Sequence, residues 1–266
     1  MTSESPEIRA RSFDAWASEY DRYRPGYPDE LFDRIANRFA LADDVRAVDL
    51  GSGTGKVARH VALRGWRVTA VEPGAGMRAV LAEAAHRERV AVEVVDGTAE
   101  ATGLRSASYD LSLAGEAWHW FDAARALAET ARIVRTGGGL AFFWNVVEEA
   151  RCDLAAIEHA LARRLGIDDT DIRLPGPRPE TREALRAAPG WGEPEFSQVP
   201  HVVRMTGASY LGWAQTKSHF RAADAEVQAR FAEEFRTLSA AQGIGLTDVV
   251  EVPFTIDCWM TERSDR

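Results

Sequence analysis

What this chain of 266 residues has little of narrows it before any motif does. It holds only two cysteines, Cys152 and Cys258, far apart and with no histidine-rich pattern nearby, so neither a disulfide framework nor a zinc site is indicated. Both read as inert core thiols, and no metal is expected. Long apolar runs are missing too. The longest lies near LAFFWNVV at 140–147, and the polar start MTSESPEIRARS lacks the apolar core of a secretory signal. A cytoplasmic protein without a membrane partner is the expectation. Basic charge is also short: the formal net charge is -9 and the pI near 5.3, whereas nucleic-acid and anionic-lipid binding rely on clustered Lys and Arg. That leaves a small molecule as the expected partner and no nucleic acid. Monomer and homodimer are both compatible with the sequence.

What is present is an alternation of short β-rich runs with helical stretches from about residue 45, the pattern of βαβ units in a parallel sheet. Strands are expected at VRAVDL (45–50), WRVTAVE (66–72), VAVEVVDG (90–97), SYDLSLAG (108–115) and GGGLAFFWNVV (137–147). Helices are expected at 56–63, 77–86 and 123–133, with Gly137, Gly138 and Gly139 as the turn between the last helix and the fifth strand. Ahead of the sheet, RPGYP (24–28) separates two short helices. After it come a helix at 153–164, a proline-rich loop at 174–180, a strand near 196–205, helices at 208–221 and 225–241, and a closing strand at 250–259 that pairs hairpin-like with its predecessor. Three regions follow: an N-terminal helical lid (1–44), an α/β core (45–150), and a helical cap with the last two strands (151–266).

The segment AVDLGSGTGKVARHV (47–61) carries three glycines at alternate positions directly after the first strand. A phosphate-cradling loop needs Lys-Ser or Lys-Thr after its last glycine, and here Lys56 is followed by Val57. A dinucleotide fingerprint needs glycine where Lys56 stands, although Glu72 occupies the place of a ribose-binding carboxylate. A nicotinamide-dependent oxidoreductase therefore remains the second reading. A G-x-G-x-G turn behind Asp49 suits a ligand with a ribose and an amino-acid tail but no pyrophosphate, because small residues admit the ligand while the helix N-terminus offers N–H donors to a carboxylate. Asp49 could hold an ammonium, Glu72 both ribose hydroxyls, and Asp96 an adenine amine. Each ends one of three successive strands, where ligands bind in open α/β sheets.

The segments VDLGSGTG, VEPGAGM, VVDGTAE and YDLSLAGEAWHWFD resemble those of class I S-adenosylmethionine-dependent methyltransferases, over residues 13–147. YRPGYP (23–28) and AWHWFD (117–122) are similar, more narrowly, to the trans-aconitate methyltransferase-like branch. The resemblance implies an α/β, doubly wound, mostly parallel seven-stranded sheet of the Rossmann-like methyltransferase kind, with an antiparallel last strand and a helical cap. It implies S-adenosyl-L-methionine as cofactor. It puts Asp49, Gly51, Gly53 and Gly55 around the methionine part, Glu72 at the ribose, and Met77 near the adenine. Asp96, Gly97, Thr98 and Ala99 would meet the adenine edge. Tyr20, Tyr23 and Arg24 would fold over the site, with Arg24 near the cofactor carboxylate.

On the acceptor side, His119 stands between Trp118 and Trp120, just past the fourth strand. It is the first candidate for a general base, should the nucleophile be a hydroxyl, amine or carbon; a carboxylate needs none. A structural role among aromatics stays open for it. Trp118 and Trp120 are candidate walls facing the sulfonium, and Asn145 either orients substrate or bonds a loop. Tyr210, Trp213, Lys217 and Phe220 recur at helical spacing, the mark of a core stripe, yet a lysine within such a stripe needs an anionic partner or a route to water. Trp213, Lys217 and Tyr23 are therefore held as substrate candidates. Arg173, Arg178, Arg182 and Arg186 read as solvated. A protein that binds the cofactor without transferring its methyl group is the third reading.

Overall fold

The computed structural model describes residues 14–42, 44–167 and 176–265; Arg173 and the first two residues of the proline-rich loop lie outside them. Seven strands form one sheet in the order β3-β2-β1-β4-β5-β7-β6. The strands are β1 (Arg46–Leu50), β2 (Arg67–Val71), β3 (Val92–Val95), β4 (Tyr109–Gly115), β5 (Val134–Val147), β6 (Glu195–Thr206) and β7 (Val249–Glu262). β1 to β5 run parallel, and β7 is antiparallel to both β5 and β6. The doubly wound, mostly parallel architecture is the expected one, as is the antiparallel closing pair.

Alternation along the central strands explains the two covered faces. Ala47, Leu111, Leu113, Ala141 and Phe143 look one way, into a core shared with Leu31, Phe32 and Ile35 of α2 (Asp29–Arg38) and Val57 and Val61 of α3 (Lys56–Leu63). Val48, Leu50, Ala114, Leu140 and Phe142 look the other way, against Ala126, Leu127 and Ile133 of α5 (Ala123–Ile133). A third apolar cluster lies beyond the sheet's end. It joins α6 (Asp153–Arg164), α8 (Gly207–Gln215) and α10 (Ala225–Ala241) to Val252 and Phe254 of β7. Both cysteines are buried, and burial pushes the Cys258 thiol up to about 12. No helix among the described residues is long and apolar enough to cross a membrane.

Three local expectations change. The glycine triplet is no connecting turn: α5 passes straight into β5 at Val134, and the glycines lie inside the strand opposite a register shift at Tyr109–Leu111. Gly138 is needed there because a Cβ would stand 2.6 Å from the Asp110 carbonyl. Residues 179–187 form a helix, α7 (Pro179–Ala187), begun by a proline whose missing N–H costs nothing at a first turn. The helix expected at 208–221 breaks at Thr216–Lys217, leaving α8 and a single turn, α9 (Ser218–Arg221).

Candidate active site

The exits of β1, β2 and β4 surround a cavity of about 1190 Å³, its open mouth included. The glycine loop forms its floor. Gly51, Gly53 and Gly55 all have positive φ, and Gly55, at 81°, caps α3 with no room for a side chain: a Cβ would meet Leu81 at 2.5 Å. Gly51 and Gly53 line the cavity, together with Tyr20, Arg24, Asp49, Glu72, Met77, Thr98 and Ala99. Nine of the residues expected around a cofactor thus meet in one place. Gly55 acts beneath the wall instead, in the turn that aims the α3 N-terminus.

Asp49 is 1% exposed. One carboxylate oxygen accepts from the Ala58 amide at 3.1 Å, while Oδ1 is buried without a partner. Burial lifts this carboxyl to about 8, against the lowering pull of the Ala58 N–H, and Glu72 adds to the rise. An orphaned carboxylate oxygen facing a cavity suits a cationic donor such as an ammonium. Glu72 is held on both sides: Oε2 accepts from Gly53 N and Oε1 from Gly74 N, each at 2.8 Å. It ties the glycine loop to the β2 exit, and its pKa is raised by burial in spite of these bonds. The residues present therefore fit an adenosyl group with an amino-acid arm.

Asp96 departs from expectation. It is exposed and ion-paired to Arg78 at 2.9 Å, outside the cavity wall. Arg78 lies in the first turn of α4 (Ala75–Glu88), within reach of the β3 exit, and also donates to the Glu72 carbonyl. Gly97 packs against Val71 and likewise stays off the wall, so the wall at this exit is formed by Thr98, Ala99 and Glu100.

A second cavity of about 840 Å³ adjoins the first and shares Tyr20, Arg24, Glu116, Trp120, Asn145 and Trp213 with it. His119, His159, His219, Lys217 and Ser218 complete most of its wall. Three of the six histidines gather here, and the chain's only two lysines, Lys56 and Lys217, line one cavity each. The break in the helix after Gln215 is what turns His219 onto the cavity; unbroken spacing would have carried it away. Lys217 Nζ lies 2.5 Å from Glu158 Oε1 and 4.1 Å from the Trp213 ring centre, and Tyr210 Oη donates to Glu158 Oε2 at 2.8 Å. Burial raises the Glu158 carboxyl, but Lys217 and Tyr210 outweigh it and the net shift is downward.

The boundary between the cavities is set by Glu116, whose φ of 57° is left-handed although it is not glycine. Its N–H donates to Phe143 O and its Oε1 accepts from Asn145 N at 2.6 Å, clipping the β4 exit to β5. Sequence reasoning passed over this residue, as it did Tyr27, a buried ring on the first cavity. Trp118 is off both walls: it stacks on Phe142 at 4.2 Å within the core. Tyr23 is off them as well, packed where a Cβ on Gly212 would stand. Arg178, Arg182 and Arg186 line neither cavity; Arg182 and Arg186 pair with Glu193.

The N-terminal segment is fastened across both cavities. Asp14 accepts from the Gly76 and Met77 amides at the start of α4, and Asp21 pairs with Arg59 at 2.6 Å. Lys56 Nζ donates to the Asp21 carbonyl at 2.7 Å. At the far end Arg24 donates to Thr216 Oγ1 and O at 3.0 and 3.1 Å, joining α1 (Ala17–Tyr23) to the end of α8.

Residues 48–142 match the family model described as a methyltransferase domain. An uncharacterized methyltransferase of Mycobacterium tuberculosis is 42% identical over 138 residues, 52% of this chain and 54% of that one. The match therefore spans about half the length of such curated relatives. A malonyl-[acyl-carrier protein] O-methyltransferase of Enterobacter lignolyticus is 29% identical over 225 residues, 84% of this chain and 72% of that one. A solved structure from Anaeromyxobacter dehalogenans, a candidate type II methyltransferase, is 26% identical with a TM-score of 0.60, covering 91% of this chain and 98% of its own. The oxidoreductase reading receives no support from these likenesses.

Proposed function

We propose, for a chain whose residues 48–142 match a methyltransferase domain, methyl transfer from S-adenosyl-L-methionine to an oxygen nucleophile of a small molecule held in the second cavity. The observation that carries this reading is the pair of adjoining cavities, one walled by buried carboxylates and a glycine loop, the other by basic and titratable side chains. The bound cofactor supplies an activated methyl group on a sulfonium, so no metal is required. Asp49 would hold the amino group, Glu72 the ribose hydroxyls, and Met77, Thr98 and Ala99 the adenine side. Positioning and exclusion of water are then the protein's main contributions.

Arg24 and the partly shared charge of Lys217 favour a neutral or anionic acceptor over a cationic one. The likeness to an O-methyltransferase favours oxygen as the atom methylated. Residues 14–24 would serve as a lid, since α2 beyond them is part of the sheet's core, and the helices after residue 150 as the cap that selects the acceptor. Thermal-shift measurement with S-adenosylhomocysteine and with NADH tests the reading. Stabilisation by the former, lost in Asp49→Ala and Glu72→Ala, is expected. Stabilisation by NADH alone would overturn it.

A further inference from the structure

Two histidines of the second cavity are fixed in opposite tautomers. At His119 the Trp144 indole N–H donates to Nδ1 at 3.2 Å, so the neutral ring keeps its own proton on Nε2. At His159 the bond runs the other way. Its Nδ1 lies 2.7 Å from Glu149 Oε2, and since a carboxylate only accepts, Nδ1 carries the proton and Nε2 of the neutral ring is a lone-pair acceptor. His159 is 4% exposed and lines the cavity from α6. Glu149 reaches it from the turn that follows β5. The neighbouring carboxylate, Glu158, is committed to Lys217 and Tyr210, which leaves Glu149 as the partner of His159. Tyr20, Arg24, Lys217, Glu116 and His219 are the other charged or titratable groups on this cavity besides His119, and burial raises the Tyr20 phenol, so it keeps its proton.

We propose that His159 is the general base of this site and Glu149 its positioning residue, and that the acceptor is therefore a hydroxyl, whether alcohol, phenol or enol. The inference rests on the methyl-transfer reading above and narrows its substrate class. A carboxylate acceptor has already lost its proton at neutral pH and gains nothing from a base. A histidine held by a carboxylate is the arrangement that removes a proton and stabilises the resulting imidazolium. In the balanced step the acceptor oxygen bonds the methyl carbon, the electron pair of the broken carbon–sulfur bond stays with sulfur, and the hydroxyl proton ends on His159 Nε2. His119, with its proton on Nε2 and its Nδ1 lone pair taken by Trp144, has no nitrogen left to accept a proton, and the base expected at that position moves to α6.

Three measurements test this. Imidazole nitrogen NMR of the labelled full-length protein, assigned with His159→Gln and His119→Gln, should show the Nδ1–H tautomer at His159 and the Nε2–H tautomer at His119; an Nε2–H tautomer at His159 would overturn the assignment. Incubation with methyl-labelled S-adenosylmethionine and cell extract should give a product whose label survives alkali, as an ether does. Labelled methanol released by alkali marks an ester, and it would overturn the hydroxyl inference while leaving methyl transfer intact. A protein that binds S-adenosylhomocysteine and yields no labelled product sinks both. With the product in hand, His159→Gln should lower the rate at least about 100-fold with cofactor affinity within about twofold. Glu149→Gln, at a half-exposed position, should lower it about tenfold and shift the acidic limb of the pH–rate profile to lower pH; an unmoved limb counts against the dyad.

Discussion

The two cavities share six side chains yet are assembled in opposite ways. Most of the first is built where successive strands end, from Asp49 and the Gly51–Thr54 loop, Glu72, Pro73 and Met77, Thr98 to Glu100, and Gly115 to Ala117, with Tyr20, Arg24 and Trp213 closing over it. Each group comes from one short stretch of chain, and the parallel sheet brings the stretches side by side. The second draws on Tyr20 and Arg24, the 116–120 turn, the end of β5, His159 on α6, and the break between α8 and α9. Trp213, Lys217, Ser218 and His219 reach the others because β6 carries the chain's last third back along the sheet. The first is a property of strand order, and the second of long-range packing.

The sharpest way to break that contrast is at Lys217. Its ammonium and the Glu158 carboxylate are 14% and 4% exposed, so Lys217→Met leaves a buried charge uncompensated and should destabilise the protein by about 3–5 kcal/mol. Thermal unfolding should show the loss, and adding Glu158→Leu should recover most of it. If Lys217→Met instead melts like the parent and only weakens acceptor binding, the pair is a substrate device and not part of the cap's framework. At the first cavity, Asp49→Ala should weaken S-adenosylhomocysteine by about 2–5 kcal/mol, roughly 30- to 4000-fold, by calorimetry. Affinity equal to the parent would mean that the orphaned oxygen has no ligand role.

This difference in assembly also decides what the sequence could reveal. Asp49, Glu72, Thr98 and Ala99 were legible because a residue's place at a strand end is a local pattern, and the sheet turns it into a shared wall. Asp96 was misread within that same logic: a strand-end carboxylate becomes a ligand group only if no nearer cation takes it, and Arg78, one helical turn into α4, does. At the second cavity Trp213 and Lys217 were suspected from a helical stripe and Asn145 from its place near the end of the fifth strand. His159 and Glu149 carried no local signal, since their spacing fits an ordinary helix start. One signal did exist. A chain with 32 basic Lys and Arg residues but only two lysines sets those two apart, and both line cavities.

A smaller effect comes from the charge state of Asp49, lifted to about 8 mainly by burial. Its folded value lies above the unfolded 3.8, so the free protein keeps the carboxyl neutral below about 8 and loses stability as pH rises through that interval. Meeting an ammonium requires the ionised form. Affinity for S-adenosylhomocysteine should therefore rise with pH, about tenfold per unit between roughly 6 and 8, and the rise should vanish in Asp49→Asn. A flat profile in the parent would place the amino group elsewhere.

The smallest predicted change lies where the two cavities are tied together. Thr216 Oγ1 accepts from Arg24 Nε at 3.0 Å and donates to the Trp213 carbonyl at 2.7 Å, so it links the N-terminal segment to the helix break that presents Lys217, Ser218 and His219. Thr216→Val keeps the volume and removes both bonds, at a cost of about 1 kcal/mol. Arg24 retains its bond to the Thr216 carbonyl and its stacking on Tyr20, 4.9 Å from the ring centre, so the segment should loosen without detaching. Hydrogen exchange over residues 14–24 should speed up about fivefold, and acceptor affinity should fall by a similar factor. Cofactor affinity, on the proposed reading a matter of Asp49 and Glu72 at the strand ends, should hold. Were both affinities to fall together, the division into a strand-built cofactor side and a packing-built acceptor side would fail, and the N-terminal segment would have to be counted as one wall of a single chamber.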